Sequence, residues 1–450
     1  MTSFQLVLRK AADGAQSQSV RSARQRLGVR RPSAALETDA HLKSARGLAQ
    51  SKTLTRGLAL LLALVNSFCV AAEPPFDLTG FASIEAHGLK TTTGGGDAKP
   101  VMVRTAKEFQ SACERLDIKS KAQRDNTPRV IVVAADIDLG ELANQKGGSV
   151  LTNVGVVRVR PNTTIYALGA GATIRHGTIE IHGAWNIIIR NLRFRDLWEF
   201  DPTGKYDKLG WDYVRITNAG QTHSHHIWVD HCDFEKAYDG LCDVVHGSDL
   251  VTISWCRFAG DARGPHKKCI LIGHSSGPSN GARDGGRLNV TLHHNWFENI
   301  EDRAPRARFG NIHCYNNVIE TAKYATISVS GAVTLVENCV YSNALVATSF
   351  SHAKDKLTKN LGGTICIVDS RNLNPATGGE GKTADEKFER ANNFKSSVER
   401  AALKFNAPAD FKWEDLSKLP YRYDTGPVDE VAATVRNFSG TGKIVLPEPK

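Results

Sequence analysis

Nowhere does the sequence hold about 18 uninterrupted apolar residues, so no part of it reads as a permanent membrane-spanning helix. Cysteine is sparse, at nine in 450 residues, which excludes a disulfide-stapled scaffold. Aromatic residues reach only 7%. At 41% hydrophobic and 23% charged, with 39 Gly and 16 Pro, the chain is neither collagen-like nor disordered overall. One-sided charge is also missing from most of it. Residues 1–72 hold 11 Lys+Arg against 3 Asp+Glu, a net of +8 out of the formal +10, which leaves +2 for the other 378 residues. The basic character belongs to the start of the chain, so a nucleic-acid partner is not indicated.

That start carries an export signal. GLALLLALV (57–65) follows Lys52 and Arg56, and small residues at Val70 and Ala72 come after it. A basic region, a short apolar run and small residues define a secretory signal over 51–72, cleaved after Ala72. Bulky Phe68 before Cys69 argues against lipidation. Residues 1–50 have no apolar periodicity and read as a disordered or over-extended pre-leader; 73–450 read as one domain. The expected product is secreted, monomeric and free of the membrane. Export permits disulfides, but the eight remaining cysteines are expected to be buried small hydrophobes.

The informative pattern is a repeat. NIIIRNLRF (186–194), HIWVDHCDF (226–234), LVTISWCRF (250–258), NVTLHHNWF (289–297), NIHCYNNVI (311–319) and VTLVENCVY (333–341) align. They end at Phe194, Phe234, Phe258, Phe297, Ile319 and Tyr341, with gaps of 40, 24, 39, 22 and 22. Apolar and polar residues alternate within them, which is strand periodicity. A strand recurring every 22–24 residues, with two enlarged gaps, predicts an all-β solenoid of three-stranded turns, a parallel β-helix. Two columns should stack along its axis: Asn191, His231, Trp255, His294, Asn316 and Asn338, then Cys232, Cys256, Asn295, Asn317 and Cys339. CDVVHGS (242–248) pairs with CILIGHS (269–275), so Cys242 should lie near Cys269 and Cys232 near Cys256, as stacked free thiols. Thr105 with Glu108 predicts a capping box, and Phe109, Ala112, Cys113 and Leu116 share one face of the helix that follows. That helix is expected to plug the N-terminal end. Residues 376–400 read as a solvated loop and helix, and 401–450 as an outer layer or the far cap.

Three clusters carry chemistry. Asp212, with Asp239 and Asp243 around a Gly-bearing turn, can converge on one hard cation, Ca²⁺ or Mg²⁺, although a single Asp is more often a turn-former. Lys267-Lys268 and Arg303, Arg306 and Arg308 place positive charge beside that site, which makes sense if a carboxylate polymer lies between. His223, His225, His226 and His231 are zinc-ligand types, but without Cys-x-x-Cys and within repeat columns, stacked structural histidines are the favoured reading.

WVDHCDF, YDGLCDVVHGSDLVTISWCRF, HKKCILIGHS, LNVTLHHNWFENIEDRAPRARFG and IHCYNNVIE strongly resemble the pectate lyase family of extracellular polysaccharide lyases. TTTGGGD, NTTIYALGAGATI and NIIIRNLRF extend the resemblance over roughly 80–345. It implies a right-handed parallel β-helix, Ca²⁺ as cofactor, and β-elimination of polygalacturonate, an acidic plant cell-wall polysaccharide, to 4,5-unsaturated oligogalacturonides. By resemblance Asp212, Asp239 and Asp243 are calcium ligands and Arg303 is the catalytic base. Lys268 and Arg308 act in catalysis and contact the substrate carboxylate; Arg306 and His266 join the substrate-binding set. Neighbouring cations are expected to lower the Arg303 pKa. Gly210 stands where some members have a further acidic ligand, and Ser276 where Asp is frequent. A pectin lyase acting on methylated polymer is the nearest rival; the aspartates argue against it, because neutral esters need no bridging cation. A non-catalytic β-helix binding module would have no use for Lys268 with Arg303 and Arg308.

Overall fold

Each of the six repeat segments becomes two strands and a corner. The computed structural model describes residues 76–143, 154–198, 210–260, 268–351, 362–374, 394–446 and 448. The second segment, for example, forms His225–Asp230 and Asp233–Glu235. The corner residues are the first predicted column. Asn191, His231, Trp255, His294, Asn316 and Asn338 all have φ between 47° and 58°, the left-handed region that turns the chain sharply. The repeat unit is thus a bent pair of strands, where the alternation alone predicts one straight strand.

Ten strands, from Pro100–Val103 to Thr364–Val368, stack side by side in one parallel sheet. Fifteen form a second sheet in two arms, joined through the 12-residue strand Val318–Val329. The first half of that strand pairs with Trp296–Ile300 and the second half with Arg306–Arg308. The ten-stranded sheet and the two arms are the three faces of a parallel β-helix.

The predicted register holds at every step. Phe194, Phe234, Phe258, Phe297, Ile319 and Tyr341 are successive cross-strand partners. The four phenylalanine rings stack nearly parallel inside the coil, with centroids 4.7, 5.0 and 4.9 Å apart. Beside them the Cys/Asn column forms a polar ladder. Cys256 N–H donates to Asn295 Oδ1 (3.0 Å) and Asn295 N–H to Asn317 Oδ1 (2.9 Å), which satisfies groups that would otherwise be buried alone. All eight cysteines of the described residues are buried and free.

The N-terminal end is covered as the sequence suggests, with one correction. Helix Ala106–Glu114 carries the reciprocal Thr105/Glu108 capping box and buries Phe109, Ala112 and Cys113 in the main core. Leu116 does not join them. Arg115 adopts φ 51° and ends the helix, leaving Leu116 52% exposed. The tail layers onto the outside: Leu403 and Phe405 cover Val333, Leu335 and Cys366, and helix Val428–Phe438 covers Val318 and Val340. The expected loop and helix over 376–400 lie outside the described residues up to 393. The described residues belong to one compact unit, Pro75–Lys450; the leader readings fall on the other, Met1–Pro74, outside the described residues.

Candidate active site

The second arm of the fifteen-stranded sheet includes the short strands Val214–Thr217, Cys242–Val244, Leu271–Ile272 and Arg306–Arg308. Val214, Ile216, Cys242, Val244, Ile272 and Ala307 are buried inward. The residues between them therefore face out, and register makes Glu180, Arg215 and Asp243 neighbours on the outer surface. Loops at the strand ends bring in Asp212, Asp239 and Arg303. Together these line a cleft of about 500 Å³, with Gly210, His182, Thr217, His246, Leu271 and His274 completing the wall.

Each aspartate is fixed by a backbone N–H from a neighbouring loop or coil. Gly240 donates to Asp212 Oδ1 (2.7 Å), Leu271 to Asp243 Oδ1 (2.9 Å) and Gly210 to Asp239 Oδ2 (3.3 Å). Position 240 has to be glycine for this packing, since a Cβ there would lie 2.2 Å from Asp243 Oδ1. Crowding leaves its mark on the acids. Burial, then the Asp243 and Asp239 charges, push Asp212 well above the usual carboxylate range. Burial raises Asp243 to about 6, against the opposing pull of Arg303. The three carboxylates share one cleft without closing into a tight ligand set. Among the described residues the one trio of His, Cys, Asp or Glu whose donor atoms all lie within 4.8 Å of one another is elsewhere, at His87, Asp249 and Asp410.

Arg303 stands among the acids. Its Nη1 lies 3.4 Å from Asp239 Oδ1 and 3.5 Å from Asp243 Oδ2, and its backbone is held at φ 75°. The residue is locked in a region that non-glycine residues avoid, a feature that clusters at functional sites. The expected depression of its pKa is reversed here. Burial acts to lower it, but Asp243, Asp239, Asp302 and Asp212 together outweigh burial and raise it. Sequence reasoning counted the cations nearby, whereas the nearest charges are carboxylates.

The other expected residues are spread around this centre. Lys268 is half-buried, its strand bridged to Asp302, and Asp243 feels its charge. Arg308 lies at the rim, where Nη1 donates to the Gly273 carbonyl (2.9 Å) beside His274. Arg306 is turned onto Asp302, with Nη2 2.8 Å from Oδ2, and does not line the cleft. His266 and Lys267 lie outside the described residues. Cleft residues that went unread in the sequence include Glu180, His182, Arg215, His246 and His274. Arg215 Nη2 binds Glu180 Oε1 (2.6 Å) and Arg158 Nε binds Oε2 (2.6 Å). Burial would raise Glu180, but these two arginines hold it below its usual range. Arg215 also explains Gly210: with φ 78°, a Cβ there would lie 2.9 Å from Arg215 Nη1. An arginine fills the space that a further acid would need. Extending the repeat alignment to this third face would have found the Glu180–Arg215–Asp243 column.

Comparison with known proteins agrees with the architecture. The family model described as pectate lyase matches residues 51–444. Pectate lyase B of Paenibacillus amylolyticus is 31% identical over 343 residues, covering 62% of this chain and 82% of that protein. Solved structures share the fold. A pectate lyase from Paenibacillus sp. 0602 has a TM-score of 0.60 at 24% identity, covering 82% of this chain and 97% of that one. A Bacillus sp. N165 pectate lyase in complex with trigalacturonate has a TM-score of 0.56 at 20% identity, covering 82% and 99%. With a family match along most of its length and a β-helix whose outer face gathers acids around one arginine, the chain belongs to the pectate lyase family of polysaccharide lyases.

Proposed function

We propose that this pectate lyase is secreted and calcium-dependent, and that it cleaves α-1,4-polygalacturonate by β-elimination in the cleft around Asp212, Asp239, Asp243 and Arg303. The observation that carries the reading is the meeting of three carboxylates and one locked arginine in a single cleft, with the Lys268 charge felt by Asp243. The donors fit a hard cation. They are all oxygen, two are pushed up by burial and mutual repulsion, and the missing Cβ of Gly240 keeps their cradle open. Bound there, Ca²⁺ supplies charge neutralisation of a galacturonate carboxylate, which acidifies the adjacent C5 proton.

The chain's own groups do the rest. Lys268 and Arg308 contact the substrate carboxylate and hold the sugar with C5 toward Arg303, and they stabilise the charge that develops on it. Three of the aspartates that raise the Arg303 pKa are the ones that would hold the cation; with their charge offset, Arg303 in its neutral guanidine form accepts the C5 proton. The electron pair left behind forms the C4=C5 bond as the C4–O bond breaks, and the departing oxygen takes up a proton. No water is consumed. Arg306 serves by position: it clamps Asp302, whose backbone carbonyl accepts from Cys269 N–H (3.0 Å) next to Lys268. The trigalacturonate held by the Bacillus structure favours an acidic oligomer as ligand.

The test is ultraviolet absorbance of the unsaturated product on polygalacturonate, with and without chelator, for wild type and Asp239→Ala. Loss of activity on chelation, and in the variant at low Ca²⁺ with the fold intact, is expected. Full activity of chelated wild type would refute calcium dependence.

A further inference from the structure

The trio His87, Asp249 and Asp410 lies apart from the cleft, and none of the three lines it. Asp249 is 1% exposed. Its Oδ1 accepts three N–H groups, from Leu250 (2.9 Å), Asn289 (2.8 Å) and the Asn289 side chain (2.8 Å). Its Oδ2 is enclosed and accepts none. A buried carboxylate oxygen without a partner is costly, and side chains kept in that state call for an explanation. His87 and Asp410 each bring a donor atom to this carboxylate, the three donors all within 4.8 Å of one another.

The surroundings suit a cation with some affinity for nitrogen. The His87 ring is exposed to solvent, yet its direction is set by stacking on His225 at 4.2 Å. Asp410 is neutralised by Arg287, with contacts of 2.6 and 3.1 Å, but each carboxylate oxygen has a further lone pair to offer. With Asp249 in its ionised, ligating form, two carboxylates, one guanidinium and a neutral imidazole leave one negative charge for the ion. One imidazole nitrogen with two carboxylate oxygens is a donor set for zinc-class ions; calcium takes oxygen alone. Donors on a tetrahedral zinc ion lie about 3.4 Å apart, so a pair at the 4.8 Å limit closes by about 1.4 Å on binding.

We propose that His87, Asp249 and Asp410 form a binding site for a divalent transition ion of the zinc class, with Asp249 Oδ2 as its buried anchor. The three donors come from separate segments: the N-terminal turn bridged at Ala86 and Leu89, a coil strand, and the outer C-terminal layer. An ion there ties both ends of the domain to the β-helix. Its role is structural, because no donor reaches the cleft.

The experiment uses the full chain without an affinity tag, stripped by chelator and returned to excess calcium so that oxygen-only sites are filled. Zinc is titrated calorimetrically and cobalt by its visible absorption, and thermal unfolding is followed with and without zinc. One zinc per chain, a cobalt spectrum showing nitrogen ligation and a raised melting temperature are expected. His87→Ala and Asp410→Asn should each lose the one-per-chain binding and the thermal shift, while lyase activity in calcium stays at the wild-type level. No zinc uptake by the stripped protein overturns the proposal. So does unchanged uptake by His87→Ala, which would move the ion to His223–His226, or displacement of zinc by equimolar calcium.

Discussion

Gly240→Ala is the sharpest perturbation of the cleft, because it adds one methyl group at a known place. The new Cβ would lie 2.2 Å from Asp243 Oδ1, 2.6 Å from its Cγ and 2.7 Å from Oδ2. Ordinary contact begins near 3.4 Å, so the carboxylate must move by about 1 Å. It cannot do so freely, since Oδ1 is held by the Leu271 N–H at 2.9 Å. Gly240 is not among the residues with positive φ, so alanine adds no backbone strain there. The stability cost is therefore that of local overpacking plus one weakened hydrogen bond, about 2–4 kcal/mol. The functional cost is larger in proportion. A 1 Å misplacement of a positioned group is worth roughly 10²-fold in rate. Product absorbance on polygalacturonate, measured across a calcium series, should show both a lower plateau and a midpoint shifted to higher calcium. Gly277→Ala is the control: its nearest neighbour is 3.7 Å from the built Cβ, and it should behave as wild type. A Gly240→Ala enzyme with wild-type turnover and calcium midpoint would refute the assignment of Asp243 to the cation.

Further outcomes follow from the same geometry. Arg303→Lys keeps the charge but cannot reach the same point, so kcat should fall by about 10²–10⁴ with KM little changed, whereas Lys268→Ala should impair both in steady-state kinetics. Phe258→Ala empties the middle of a ring stack with neighbours at 5.0 and 4.9 Å, and urea unfolding should show a loss of about 3–5 kcal/mol with the calcium midpoint unmoved. Secreted material should begin at Glu73 by N-terminal sequencing; a start upstream of Gly57 would refute the signal reading.

Much of this protein is legible in its sequence because the solenoid writes the same environment repeatedly. Phe194, Phe234, Phe258 and Phe297 occupy one column because each faces the same interior, so a spacing rule finds the register without any coordinates. The second arm resists that reading. Cys242–Val244 and Leu271–Ile272 are three and two residues long, too short for alternation to stand out, and long insertions separate them. Arg215, His246 and His274 were missed for that reason, and Glu180 because its six-residue strand Gly177–His182 lies outside the aligned segments. The environment of Arg303 was misjudged for a different one. Net charge near a group depends on which of its neighbours turn toward it, and Asp239 and Asp302 do so from loops and Asp243 from a strand. The corner at Arg115, which sends Leu116 into solvent, turns on a single φ value that sequence pattern does not encode.

The histidine column provides a pH test that the calcium site does not disturb. His226 is fully buried, and its Nε2–H donates to the Ile84 carbonyl at 3.0 Å. Its Nδ1 therefore carries a lone pair and accepts from His225 Nδ1–H at 2.9 Å. That bond exists only while the accepting His226 ring is neutral. Burial pushes His226 down to about 4, against the opposing Ile84 hydrogen bond. For a base lowered from 6.5 in the folded state, both states are neutral above pH 6.5 and nothing is lost there. Below 6.5 the unfolded chain takes up a proton that the folded chain refuses. Stability then falls by about 1.4 kcal/mol per pH unit until the folded ring titrates near pH 4. His226→Asn removes this dependence, and asparagine tolerates the φ of 54°. The variant should be less stable at pH 7, and its deficit should shrink by about 2 kcal/mol between pH 6.5 and pH 5. Raised acids such as Asp233 act in the opposite direction, but they are common to both proteins and cancel in the difference. Urea unfolding in chelator at several pH values measures that difference directly. A deficit that stays constant from pH 7 to pH 5 would mean that His226 titrates alike in the folded and unfolded chain, and the neutral His225–His226 pair would have to be abandoned.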